Sequence, residues 1–354
     1  LEDRSLTGNE MRDVIQDLCD RSIMEQWNDW YRRILIKDLR CGVTHKTINK
    51  HSEMKVPVFE CMLADDSKKH EKKMTGDVYV EPKLDGVRVI TICDVDKDEV
   101  KMFSRNGKEL NNFPKILEQF DSMLDQMAES MVFDGEIMSD DFQTLMREIH
   151  RKGGAKTDDA VLNIFDIIPL WAFKEGGYTA SLQTRKEMMD EYEYPSNISK
   201  VEYVRMNLSD DDGQKQFADY NKLCIDKGFE GIMVKPMDGP YECKRSSLWL
   251  KVKPFIEVSL KVVDVEEGTG RNLGKLGALV VEGTDMDKFI KTNVGSGLTD
   301  ADRETFWKAK DKLIGQIVEI RADAITQNQD TKDEWSLRFP RFLRFRGFEP
   351  GEKL

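Results

Sequence analysis

In Glu81-Pro82-Lys83-Leu84-Asp85-Gly86-Val87-Arg88 a lysine closes an alternating apolar run and stands directly before an Asp-Gly turn. Val78 and Val80 supply the two-residue period of a strand, and Asp85-Gly86 the turn chemistry that ends it. A lysine at that place is aimed into a cleft. An amine there attacks only after losing its proton, and a free lysine is almost wholly protonated near neutral pH. Desolvation and nearby cations both favour the neutral form, and Arg88, five residues on, is one such cation. On spacing alone the alternative stays open that Lys83 and Arg88 are solvated residues flanking a hairpin.

Further segments follow in order. Ser104-Arg105-Asn106-Gly107 ends a strand marked by Val100 and Met102 with a hairpin-type Asn-Gly pair. Phe133-Asp134-Gly135-Glu136 begins a short strand, and Val161-Leu162-Asn163-Ile164-Phe165-Asp166-Ile167-Ile168 reads as a buried run. Then come Glu230-Gly231-Ile232-Met233-Val234-Lys235 and Arg245-Ser246-Ser247-Leu248-Trp249-Leu250-Lys251-Val252-Lys253. Near the end stands Ser336-Leu337-Arg338-Phe339-Pro340-Arg341-Phe342-Leu343-Arg344-Phe345-Arg346. Each has a plain structural reading: a turn, a strand start, a snorkelling surface strand around Trp249, a core phenylalanine at 165, a basic edge strand with an aromatic face. Lys251 and Lys253 alternate about Val252, so both point to one face, the geometry of a phosphate clamp.

Taken together and in this order, the segments resemble the motifs of ATP-dependent polynucleotide ligases, over nearly the whole chain. Leu6-Thr7-Gly8-Asn9 and Lys37-Asp38-Leu39-Arg40-Cys41-Gly42 look most like the DNA ligases of T-even bacteriophages. Leu337-Arg338-Phe339-Pro340-Arg341-Phe342-Leu343-Arg344 looks like cellular DNA ligases too. The resemblance implies adenylation of the enzyme, transfer of AMP to a 5′-phosphate, and attack by a 3′-hydroxyl with AMP leaving. Lys83 is then the nucleophile. Glu81 reads the adenine edge, and Arg88 and Arg105 lie near the ribose, the phosphates or the nick 5′-phosphate. Glu136 accepts from the ribose hydroxyl and shares a metal, and Phe165 stacks on adenine. Glu230 is the main metal carboxylate, and Lys235, Lys251, Lys253 and Arg245 serve the phosphates. Two carboxylates beside a triphosphate suit Mg2+. The C-terminal run, with Arg338, Arg341, Arg344 and Arg346, orients pyrophosphate. Gly347-Phe348-Glu349 departs from the family's continuation, which leaves Lys353 as the remaining candidate cation.

The elements that hold these residues divide the chain into three: residues 1–57, 58–254 and 255–354. Amphipathic periods predict helices over 9–20 and 23–40, with Met24, Trp27, Trp30, Tyr31, Ile34 and Leu35 on one face, Gly42 as the stop, and a short helix after Thr44. This is expected to be the tail of an all-helical DNA-binding domain, with the true N-terminus missing because the chain opens on Leu1. Strands and helices then alternate, with helices near 113–129, 141–152, 181–193 and 213–227, and Asp65 to Gly76 reads as a solvated, lysine-rich loop. After Pro254, Val258–Val265, Ala278–Glu282, Phe289–Val294 and Ile317–Ala322 are strands of a small OB-type barrel. The fold class is therefore α+β and multidomain: a partial helical domain, a nucleotidyltransferase domain that the resemblance makes ATP-grasp-like, and an OB-fold.

A net charge of −12 over 354 residues argues mildly against a nucleic-acid partner, although a basic stripe can bind DNA on an acidic protein. Six cysteines without any C-x-x-C spacing, and no long apolar span, fit a reducing cytoplasm and no membrane. Cys41, His45 and His51 make half a zinc site without a second half. The resemblance implies nicked duplex DNA as partner and a monomer. Its alternatives are an RNA ligase or mRNA-capping guanylyltransferase of the same superfamily, and a catalytically silent nucleic-acid-binding relative.

Overall fold

The computed structural model describes residues 8–36, 42–54, 56, 58–139, 160–327 and 334–347. The expected helix over 141–152, Cys41 and Lys353 lie outside them. The chain forms two compact units, Leu1–Phe59 and Glu60–Leu354. In the first, a helix spans Gly8–Arg21, and a second run passes through Met24–Gln26, a π-type turn at Trp27–Tyr31 and Arg32–Leu35. None of their residues is buried, and Trp30 is 66% exposed, so the apolar face read from the sequence meets no core among the described residues. A short helix, His45–His51, begins where Thr44 accepts the Thr47 amide at 3.4 Å.

Among the described residues of the second unit, twelve strands come first. They are β1 (Leu63–Asp66), β2 (Asp77–Pro82), β3 (Val87–Asp94), β4 (Glu99–Ser104), β5 (Met131–Met138) and β6 (Val161–Pro169). Then follow β7 (Gly177–Tyr178), β8 (Ile198–Lys200), β9 (Val204–Asn207), β10 (Ile232–Pro236), β11 (Tyr241–Glu242) and β12 (Arg245–Val252). One five-stranded sheet has the order β1-β12-β10-β2-β9 and a second the order β4-β3-β5-β6-β8. The polar stretch expected as a solvated loop instead holds β1, parallel to β12, and two 3-10 turns. Its Lys68, Lys69, Lys72 and Lys73 are exposed as expected, with the Lys68 Nζ 3.2 Å from the centre of the Phe255 ring.

Helices cover the sheets where the periodicity places them, two with shorter bounds and the third beginning two residues earlier than expected. Pro114–Asp121 drives Ile116 and Phe120 into the core of the second sheet, beside Phe133. Asp211–Asp226 is capped by Asp210, which accepts the Gly213 amide at 2.7 Å, and its Cys224 packs with Val78, Val80 and Val234 of the first sheet. The Leu182–Asp190 helix serves both sheets. Its Leu182 packs with Tyr79 of β2, its Met189 joins the core that includes Phe133, and Ser181 caps it through the Thr184 amide.

Its Arg185 is fully buried against an equally buried Asp166 of β6, at 2.7 and 3.0 Å, and also donates to the carbonyls of Ala180 and Gly239 at 2.6 and 2.9 Å. Every arm of the guanidinium is used, which is the condition for a charge to survive out of water.

The remaining strands are β13 (Ile256–Glu267), β14 (Leu276–Asp285), β15 (Lys288–Val294), β16 (Ile317–Ala322), β17 (Ala324–Gln327), β18 (Trp335–Arg338) and β19 (Arg341–Gly347). They form a seven-stranded sheet ordered β17-β18-β15-β14-β13-β16-β19 around Val258, Leu260, Leu279, Val281, Ile290 and Ile320. The helix Asp300–Lys308 in this part was not anticipated, although Thr299 and Asp302 form a capping box that the sequence displays.

The Arg185–Asp166 pair yields a direct test. Arg185→Met leaves a buried carboxylate without its partner and is expected to lower the unfolding free energy by about 3–5 kcal/mol, measured by urea denaturation.

Candidate active site

A cavity of about 400 Å3 opens between the two five-stranded sheets, lined by Glu81, Lys83, Arg88, Arg105, Glu136, Phe165, Lys235, Arg245, Lys251 and Lys253. Sequence reasoning had singled out every one of these. The cavity is completed by apolar residues including Leu63, Met233 and Trp249, and by Phe339 from beyond β18. That size and a mixed lining are usual for a pocket that takes a small molecule.

Lys83 is placed by strand pairing. β2 runs antiparallel to β10, and just beyond the pair the Lys83 amide donates to the Gly231 carbonyl at 2.8 Å while the Glu230 amide donates to the Lys83 carbonyl at 3.1 Å. Those two bonds put the Lys83 ammonium on the Glu230 carboxylate. Two glycines permit the close approach. A Cβ on Gly86 would stand 2.1 Å from the Ile137 carbonyl oxygen, and Gly231 has φ +133° with the Val252 carbonyl equally near. Glu230 also takes Lys253 at 2.8 Å and Arg338 at 3.3 Å.

Arg88 lines the cavity with its guanidinium already engaged. Its guanidinium is held by Asp134 of β5, Nε at 2.5 Å and Nη2 at 2.6 Å, with a further bond to the Met62 carbonyl at 3.0 Å. Tyr241 donates to the same carboxylate at 2.6 Å. The positive charge expected to help deprotonate Lys83 is thus compensated, and Arg88 instead stacks over Phe165, its Cζ 4.7 Å from the ring centre. Asp134 escaped sequence reasoning although it stands in the quoted Phe133-Asp134-Gly135-Glu136; an arginine that lines a cleft demands a carboxylate, and this one was at hand. Trp249 was also missed. It is nearly fully buried, edge-to-face with Phe165 at 5.7 Å, and does not lie on the surface as its lysine neighbours imply.

Glu81 is buried at the end of β2, with Lys235 at 2.5 Å on one oxygen and Lys186 at 2.5 Å on the other. Burial pushes its carboxyl up, but the two lysines outweigh burial and hold it below the usual range. Desolvation dominates at Lys235 and lowers it, despite Glu81. Lys251 is lowered too, first by desolvation and then, against Asp66, by Lys253, Arg245 and Lys83 nearby. Glu136 faces Arg88 across β3 and β5, and burial lifts it to about 7, against the attraction of Arg88 and Lys83.

The C-terminal arginines divide. Arg338 forks onto Asp85 at 2.7 and 2.9 Å and reaches Glu230, which ties β18 to the lysine loop. Arg344 and Arg346 do not reach the cavity. Both bind Glu319 of β16, at 2.6 Å each, and hold that carboxyl down at about 2, the hydrogen bond from Arg346 counting most. Arg341 lies 4.0 Å from Asp323 and is half exposed. Phe342 and Phe345 pack with each other and with Phe306, so this stretch is the basic edge strand with an aromatic face for all but Arg338 and Phe339.

Glu136 and Glu230 offer hard oxygens, and no group of three or more His, Cys, Asp or Glu is arranged for a metal among the described residues. A carboxylate of this kind suits a magnesium ion that completes its shell with phosphate oxygens and water, and Glu230 is already engaged by Lys83, Lys253 and Arg338.

The chain matches the family described as "ATP dependent DNA ligase domain" over residues 61–253 and that described as "DNA ligase OB-like domain" over 267–346. It belongs to the ATP-dependent DNA ligase family. A DNA ligase of Haloarcula marismortui is 31% identical over 294 residues, covering 75% of this chain and 51% of that protein. One of Thermococcus fumicolans is 28% identical, covering 77% and 52%. The chain therefore spans about half the length of the curated relatives it matches. A solved structure described as "Pmar-Lig_Pre." is 47% identical with a TM-score of 0.88, covering 98% of this chain and 82% of that one. The likeness to T-even phage ligases gains no support, since these curated relatives are archaeal.

The raised Glu136 makes stability depend on pH with a definite sign. Its folded value near 7 lies above that of an unfolded glutamate, so the stabilisation from its proton is present at acid pH and lost as pH rises through 7. Glu136→Gln should accordingly be the more stable protein at about pH 8.5, by roughly 2–3 kcal/mol relative to the difference at about pH 5, read from urea midpoints.

Proposed function

We propose that this chain is the catalytic part of an ATP-dependent DNA ligase, sealing nicks in duplex DNA. The observation that carries the reading is Lys83, bound edge to edge with Glu230-Gly231 at the rim of a cavity whose cations face one place. Residues 58–254 would perform adenylation, 255–354 would form the OB half, and 1–57 would contribute to DNA binding. ATP enters as substrate, its base against Phe165 and its ribose at Glu136, with Lys235, Lys251 and Lys253 toward the phosphates. Arg105 and Arg245, exposed at the rim, serve the ribose or the nick 5′-phosphate.

The Lys83 nitrogen, once deprotonated, attacks the α-phosphorus; an N–P bond forms, the bond to the bridging oxygen breaks, and pyrophosphate leaves. An oxygen of the nick 5′-phosphate then displaces Lys83, which takes back a proton. Attack by the 3′-hydroxyl on that 5′-phosphorus closes the nick and releases AMP. Charge on the phosphate oxygens is met by Lys251 and Lys253, and catalysis is mostly positioning and electrostatics. Glu136 and Glu230 would hold a magnesium ion, which would supply further neutralisation of phosphate charge. Arg338 is the one arginine of its run assigned to the pyrophosphate end, because it alone contacts the loop carrying Lys83. Monomeric action in a reducing cytoplasm completes the proposal, in keeping with five free cysteines among the described residues and no helix there long and apolar enough to cross a membrane.

Incubation with α-labelled ATP or GTP and magnesium, followed by a denaturing gel, tests the reading. A band from ATP alone, absent in Lys83→Ala and chased by nicked DNA into sealed product, is expected. A band from GTP moves the assignment to capping chemistry; no band after pre-treatment with pyrophosphate removes it altogether. Arg338→Ala is expected to slow self-adenylation by about a hundredfold and to leave sealing of a pre-adenylated nick much less affected, followed by single-turnover assays on the two substrates.

A further inference from the structure

Lys186 is a buried cation that the proposed chemistry does not use. It projects from the Leu182–Asp190 helix, is 2% exposed, and is not among the residues lining the cavity. Its Nζ nevertheless touches two residues that are: it donates to Glu81 Oε1 at 2.5 Å and to the Phe165 carbonyl at 3.0 Å. One ammonium thus joins the end of β2 to the strand that carries the aromatic platform, 105 residues apart in the chain for Glu81. The ring of Tyr203 closes the far side, 4.8 Å away.

The consequence falls on what Glu81 can recognise. With Lys186 on one oxygen and Lys235 on the other, the carboxylate is held ionised and cannot turn. An ionised carboxylate only accepts hydrogen bonds, and its remaining lone pairs can meet a donor on a base edge. A purine with an exocyclic amine at its six-position supplies that donor. A purine with a carbonyl there sets oxygen against oxygen, and a polar site that cannot pair rejects its ligand strongly. With Lys186 gone, Glu81 keeps one cation, can rotate about its side chain, and can carry a proton with which to donate to a carbonyl.

Resting on the nucleotide-site reading above, we propose that Lys186 is a specificity-determining positioning residue, which acts through Glu81 to select a six-amino purine nucleotide over a six-oxo one. The test compares wild type, Lys186→Met and Lys186→Arg in single-turnover self-labelling with ATP and with GTP over a range of concentrations. K186M is expected to raise the ATP concentration for half-maximal labelling about tenfold to a hundredfold. The saturating rate should stay within about twofold, the preference for ATP over GTP should narrow about tenfold, and K186R should restore most of the preference. If K186M does not unfold cooperatively, Lys186→Gln, which keeps a donor but no charge, gives the same readout. An unchanged ATP–GTP preference, or a fall in saturating rate alone and equal for both nucleotides, overturns the proposal. Failure of the wild-type protein to label with either nucleotide instead overturns the ligase reading on which it rests.

Discussion

Charges taken out of water persist only when each is answered, and the floor of this cavity is organised by that constraint. Three carboxylates are buried around it, Asp134 and Asp166 on adjoining strands of one sheet and Glu81 at the end of β2 in the other. Asp166 is answered by Arg185, Asp134 by Arg88 and Tyr241, and Glu81 by Lys186 and Lys235. Each pairing crosses between elements remote in sequence, so the charges cannot be satisfied until both sheets and the Leu182–Asp190 helix are in place. The polar network therefore does what apolar packing alone does loosely: it selects one register and one helix position.

The same constraint separates supporting residues from those with spare chemical capacity. Arg88 and Arg185 have their guanidinium groups occupied by carboxylates and carbonyls, and they hold walls. Lys251 is different. It is partly desolvated among other cations, which leaves it ready for an anionic ligand. Glu136 carries the opposite imbalance, a carboxylate lifted by burial with too little positive charge to compensate. Unbalanced groups cost stability in the empty protein and mark where a ligand belongs.

The two halves of the second unit meet at the same site. Arg338 leaves the barrel to fork onto Asp85, and Phe339 enters the cavity wall with φ +54°, a backbone conformation uncommon for a phenylalanine. Arg344 and Arg346, only six and eight residues on, are committed to Glu319 within the barrel. Three of the run's four arginines thus make two devices, one facing the cavity and one stitching β16 to β19.

Local sequence determined the strands that carry the motifs, most of the longer helices and ten of the residues that line the cavity, because those depend on side-chain period, turn residues and short motifs. Val78, Val80 and Asp85-Gly86 were enough to set Lys83 at a strand end, and β16 was read to the residue. Tertiary structure alone decided which charges are free. Nothing near Arg88 in the chain announces Asp134, 46 residues away, and nothing near Glu81 announces Lys186. Nor could spacing tell Arg338 from Arg344, since both sit in the same alternation of arginine and aromatic residues. The physical reason is that an ion pair is set by distance in space and by exclusion of water, neither of which is a property of neighbours along the chain.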